Sequence, residues 1–90
     1  IKIYPRWNEI FVLSLTKINL KQYDEAISVI KKHFGENPAV KELKLALGVA
    51  YLRKGDRNMA ISYLNQIKNT EKSIDEFIDI IEKNKIYKIE

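Results

Sequence analysis

The tripeptide Ala-Ile-Ser occurs twice, at residues 26–28 and 60–62, which stand 34 residues apart. The same shift lays Leu13 on Leu47, Phe11 on Leu45, Leu15 on Val49, Ile18 on Leu52, Ile30 on Leu64 and Ser14 on Gly48. Identities are few, but they fall at positions where helices would pack. A chain of 90 residues with a period of 34 holds two units of one kind and a remainder. One such unit cannot bury its own apolar face, so the two must stack on a shared core. That requirement leaves room for one small domain and no second.

Each unit reads as helical. Apolar residues recur at helical spacing as Ile10, Leu13, Ile18 and Leu20, then Ile27, Ile30 and Phe34, then Leu43, Leu47, Val49 and Tyr51, then Ile61, Leu64 and Ile67, then Ile74, Phe77, Ile78 and Ile81. No strand alternation competes with this pattern. Breaks fall at Pro5, at Gly35 followed by Asn37-Pro38, at Gly55-Asp56 and at Ser73. Five helices are predicted, near 6–20, 24–34, 39–54, 57–68 and 74–85. Gly35 and Gly55 can take the left-handed conformation that closes a helix, and Asn37 and Asp56 can cap the next one. The joints are short, so neighbouring helices form antiparallel hairpins. Ser73 and Glu76 have capping-box spacing, with acids in the first turn of the fifth helix and Lys83 and Lys85 in its last.

The small residues lie where such hairpins must cross. The stretch "LGVAYLRKGDRNMAISYL" resembles a tetratricopeptide repeat, and "LSLTKINLKQYDEAISVIKKHFGENP" resembles a second, more degenerate copy. The resemblance implies that Gly48 is the small residue at the helix crossing, Tyr51 the aromatic beside it and Ala60 the small residue of the facing helix. In the first copy Ser14, Lys17 and Ala26 take these places, with Pro38 ending the repeat. Lys17 departs from the expected aromatic, His33 and Ile67 stand where a small residue is usual, and Lys72 stands where a proline is usual. The implied fold is all-α, antiparallel helix-hairpin repeats forming an α-α superhelix. Residues 1–5 are expected to be the remnant of a preceding helix or a linker. Residues 6–72 then form two hairpins (6–38 and 39–72), and 73–90 a C-terminal capping helix and tail. Glu82 at a third Leu-Gly site argues against a further hairpin. The start of the chain suggests further repeats upstream.

No catalytic constellation stands out. His33 is the only histidine, and Glu36, three residues on, lies past the Gly35 break that ends the predicted helix. Ser14, Ser28 and Ser62 fall at repeat packing positions without a local base. Asp24-Glu25, Asp75-Glu76 and Glu82 sit where helix caps and solvated faces want them. There is no cysteine, which removes thiol catalysis and cysteine zinc sites and is compatible with any compartment. No cofactor or metal is expected, and the chain is read as not an enzyme. No apolar run approaches the roughly 20 residues that a membrane helix needs.

Within the resemblance, the first helix of each hairpin lines a concave groove. The implied contact residues are Asn8, Phe11, Leu15, Ile18 and Asn19 in the first copy, and Glu42, Leu45, Val49, Leu52 and Arg53 in the second. Some members clamp a C-terminal carboxylate in this groove with Lys and Asn. Here Phe11 and Leu15 occupy two of those places, and desolvating a carboxylate against them would cost on the order of several kcal/mol. The stripe suits an apolar or amphipathic segment, from a protein or peptide partner or through self-association. The same apolar residues could instead be buried by other helices of a longer chain or by a second copy. Trp7 is a candidate interface anchor or a packing residue against a preceding helix end.

The runner-up is an electrostatic surface for nucleic acid or an acidic partner. Residues 1–72 carry 13 Lys/Arg against 7 Asp/Glu, and residues 73–90 carry 3 against 5. The candidate cations are Lys31, Lys32, Lys41, Lys44, Arg53, Lys54 and Arg57, but aromatics are not interleaved with them as stacking platforms would be. A third possibility is an accessory or sensing domain of a larger enzyme or regulator, which the same hairpins would serve equally well.

Overall fold

The computed structural model describes residues 6–70, 72 and 75–76. Four helices follow one another among residues 7–65: α1 (Trp7–Asn19), α2 (Tyr23–Phe34), α3 (Lys41–Lys54) and α4 (Arg57–Asn65). They form two hairpins, α1 with α2 and α3 with α4, stacked through α2 on α3 and α1 on α3. The all-α hairpin-repeat architecture is therefore present. Beyond α4 the chain continues in tight turns, in which the amides of Gln66, Ile67 and Lys68 each donate to the carbonyl three residues back. The predicted last turn to residue 68 is thus not α-helical. Of the expected fifth helix only Asp75 and Glu76 are described, both helical, as is Lys72 ahead of its predicted start, and the Asp75 carboxylate accepts from the Asn69 amide at 2.7 Å; the rest of that helix, Ser73 of its capping box and segment 1–5 lie outside the described residues.

One core runs through both hairpins. Ile30, Leu43, Leu47, Leu52, Leu64 and Ile67 are its largest fully buried side chains, each contributing about 1.5–3 kcal/mol by leaving water. α3 is buried on several sides, at Leu43, Ala46, Leu47, Gly48, Ala50, Tyr51 and Leu52, because every other helix packs against it. α1 buries only Ile10, Ser14 and Ile18. Leu13 and Leu20, read as part of its apolar stripe, are 41% and 62% exposed. They face the side of α1 on which no described helix lies.

The crossing in the second hairpin depends on Gly48. A Cβ at that position would come within 2.7 Å of Cγ and Cδ2 of Leu64, itself fully buried. Ala60 is likewise fully buried. In the first hairpin Ser14 takes the equivalent place, 0% exposed, and its hydroxyl donates to the Phe11 carbonyl at 2.7 Å, so a polar side chain is accommodated without an orphaned group. Ser28 and Ser62, also expected at packing positions, are exposed. Each follows a buried alanine, Ala26 or Ala60, by two residues, about 200° around the helix, and so faces water.

Helix ends match expectation only in part. The Asp56 carboxylate accepts from the Met59 amide at 3.1 Å and caps α4. Asn37 caps nothing: α3 begins at Lys41, three residues after Pro38, and its N-cap is Val40 with no side-chain bond. Gly55 adopts the left-handed conformation (φ 102°, ψ 8°) that closes α3. Gly35 has a positive φ of 82° but ψ of −178°, so it turns the chain away from α2 rather than closing it with a left-handed cap. α1 closes the same way as α3 without a glycine. Lys21 has φ 63°, its amide donates to Ile18, and the next amide, of Gln22, donates to Lys17.

Candidate functional site

The first helices of the two hairpins, α1 and α3, pack side by side. Phe11 and Leu15 on α1, with Leu45 and Val49 on α3, are half-buried and rest on the common core. They recur at helical spacing because the 34-residue shift carries Phe11 to Leu45 and Leu15 to Val49. Ile18 and Leu52, read from sequence as part of the same stripe, are 2% and 0% exposed. They are sealed by this chain's own packing and belong to the core on which the stripe residues rest.

Polar side chains flank the apolar centre. Asn8 and Asn19 are exposed on α1, while Glu42 and Arg53 are half-buried on α3. Asn8 Oδ1 accepts from the Glu9 amide at 3.0 Å. The Nε of Arg53 is shut off from water and has no hydrogen-bond partner. A buried donor left in this state is costly. Trp7 adds an aromatic end to the row, its ring centre 6.3 Å from that of Phe11 and tilted 51°.

The cations do not form one open field. Lys31 donates to the Tyr51 hydroxyl at 2.8 Å and pairs with Glu36 at 3.0 Å. Its distance of 5.4 Å from the Tyr51 ring centre is that of an ammonium lying beyond the hydroxyl, so the contact is a hydrogen bond and not a cation over a ring face. The Tyr51 hydroxyl, more than Glu36, holds the Lys31 ammonium well above the usual lysine range, against the opposing effect of burial. Tyr51 stacks on Tyr63 at 5.8 Å, and the Tyr63 hydroxyl donates to the Glu36 carbonyl at 2.7 Å. Burial raises the Tyr63 hydroxyl above the ordinary tyrosine range. Lys54 pairs with Asp24 at 2.6 Å and Lys44 donates to Gln66 at 2.9 Å. These lysines tie helices and loops together, a use that sequence reading missed because, Glu36 apart, their partners lie 20 or more residues away. Lys32 is exposed, as is His33 in the last turn of α2.

A surface depression lined by Lys54, Gly55, Asp56, Arg57 and Asn58 lies at the α3–α4 turn. It contains none of the stripe residues. Among the described residues no three His, Cys, Asp or Glu side chains converge on a common point, and no helix is long and apolar enough to cross a membrane.

The stacked hairpins, the Gly48 crossing and the 34-residue equivalence define a helical repeat protein. The tetratricopeptide repeat family model matches residues 10–39 and 42–71, two thirds of the chain, and the chain belongs to the tetratricopeptide repeat family. The two matches fall on the two hairpins. No curated protein and no solved structure matches the chain. Repeats of this family generally mediate protein–protein interaction and are typically non-catalytic.

Proposed function

We propose that this chain is a non-catalytic interaction scaffold. The stripe of Phe11, Leu15, Leu45 and Val49 receives an apolar or amphipathic segment of a protein partner, with Asn8, Asn19, Glu42 and Arg53 fixing its polar edges. The observation that supports this reading is that four apolar side chains, at repeat-equivalent positions of two helices packed on each other, are only half-buried against a core that includes Ile18 and Leu52. An amphipathic helix laid on such a face buries its apolar residues at three- and four-residue spacing.

The test compares the chain with its Leu15→Asp/Val49→Asp variant. Proteins captured from the source-cell lysate by the parent at 0.5 M salt should be lost by the variant while its helical circular dichroism is unchanged. Equal capture by both chains, or capture only at low salt, would overturn the groove and favour the basic surface.

A further inference from the structure

Among the described residues Glu42 and Arg53 are the two half-buried charged side chains left without an ion pair or a side-chain hydrogen bond. The other half-buried charges are held: Lys17 by Glu25, Lys31 by Tyr51 and Glu36, and Lys44 by Gln66. The Asp56 and Asp75 carboxylates accept from the Met59 and Asn69 amides, and Lys41 and Arg57 are also engaged. A charge partly withdrawn from water and given no counter-charge is disfavoured. Both exceptions lie on α3 and bracket the stripe. Glu42, Leu45, Val49 and Arg53 follow one another at spacings of three, four and four residues, which keeps them on one face of the helix.

As the first helices of two stacked hairpins, α1 and α3 run in the same direction. The α1 counterparts of Glu42 and Arg53 are Asn8 and Asn19, so the charge order along the stripe is set by α3: acidic where the two helices begin, basic where they end. The flanking charges do not reverse it. Counting Arg6, Glu9, Lys41 and Glu42 the first end is neutral, whereas counting Lys21, Arg53, Asp56 and Arg57 the second carries two positive charges. A helix laid along the stripe has its own preference, for an acid near its N-terminus and a cation near its C-terminus. Only one direction satisfies both. With the stripe as the binding surface proposed for this chain, we infer that its occupant is an amphipathic helix antiparallel to α1 and α3, with an acidic residue in its first turns against Arg53 and a basic residue eleven positions later against Glu42. Eleven residues rise about 16 Å in either helix, so the two pairs are in register with apolar residues between them. The Nε of Arg53 is sealed and takes no part; the partner meets only the guanidinium atoms that reach the surface.

The chain has no cysteine, so single thiols at Asn19→Cys or Asn8→Cys mark the two ends of the stripe. The probe is a synthetic amphipathic peptide with a glutamate near its N-terminus, a lysine eleven positions on, leucines between them at three- and four-residue spacing, and an N-terminal cysteine activated as a mixed disulfide. Each exchange rate is divided by that of the same thiol with a small disulfide reagent, which removes differences in thiol reactivity. The normalised rate should be at least about ten-fold higher at Asn19→Cys than at Asn8→Cys. Adding Glu42→Arg and Arg53→Glu to both chains should reverse that order, because the peptide then binds end for end. Equal rates at the two ends, a faster rate at Asn8→Cys in the parent, or an order that the charge exchange leaves in place overturns the charge-ordered occupant and leaves the stripe standing. Rates that Leu15→Asp/Val49→Asp does not lower, with helical circular dichroism retained, overturn the stripe itself and the occupant with it.

Discussion

Lys21 and Gly55 stand 34 residues apart and occupy the same point of the same helix-ending motif, with φ of 63° and 102°. In both, the amide donates back three residues and the following amide donates back five, from Gln22 to Lys17 and from Asp56 to Tyr51. The repeat conserves the backbone path while changing the residue that follows it. Only the second copy has the residue type for which that path is unstrained.

Replacing Lys21 with glycine should therefore raise stability by about 1 kcal/mol, since a side chain in the left-handed region costs about 1–2 kcal/mol and glycine loses part of that gain to its unfolded-state freedom. Gly55→Ala should lower stability by about 1–2 kcal/mol through backbone strain alone, because a Cβ there would meet nothing within 4 Å. Urea midpoints of the two variants check both signs. A neutral Gly55→Ala would refute the strain account.

Gly48→Ala should cost about 1–3 kcal/mol for a different reason, overpacking against Leu64. Shortening Leu64 to valine should be destabilising alone yet recover part of the Gly48→Ala loss in the double variant. A double-mutant cycle measures this coupling, and strict additivity would show that the crossing is not limited by that contact.

Asp56→Ala should cost about 1 kcal/mol by uncapping α4, whereas Asn37→Ala should stay within about 0.5 kcal/mol, since Asn37 caps no helix. Thermal melts of the two variants side by side distinguish them. Comparable losses would mean that Asn37 stabilises the α2–α3 joint in some other way.

Alkaline stability tests the Lys31 cluster. The folded state holds the Lys31 proton more tightly than the unfolded chain does, chiefly through the Tyr51 hydroxyl, and burial does the same for the Tyr63 hydroxyl. Both contributions are fully present below the unfolded values, about pH 10, and are lost as pH rises beyond them. The urea midpoint should stay level from about pH 7 to 9 and fall above about pH 10. Lys31→Met should start lower and lose less over the alkaline range. Identical alkaline losses in the two proteins would remove Lys31 from this account.

The fold was legible because the 34-residue recurrence and the glycine and alanine positions report backbone approach, which few residue types permit. Gly48 and Asp56 are cases in which local chemistry leaves one good solution. The stripe was legible less completely. Helical spacing placed Phe11, Ile18, Val49 and Leu52 in related registers, but only the packing of α1 on α3 decides that Ile18 and Leu52 are sealed while Phe11 and Val49 are half-open. Leu13 shows the converse, since its equivalent Leu47 is buried by a helix that α1 lacks. Lys21 was missed because nothing in a lysine announces a left-handed backbone. The Lys31–Tyr51–Tyr63 cluster was missed because its members come from α2, α3 and α4.

Among the described helices α4 packs on α3 alone, and α1 and α2 reach the second hairpin only through α3. Such an arrangement can be dismantled from either end without first breaking its middle. Amide hydrogens of α4 and of the outer turns of α1 should exchange through local openings, while those of α3 wait for global unfolding. The helix that lends Leu45 and Val49 to the stripe is thus also the one that determines how long the whole surface persists.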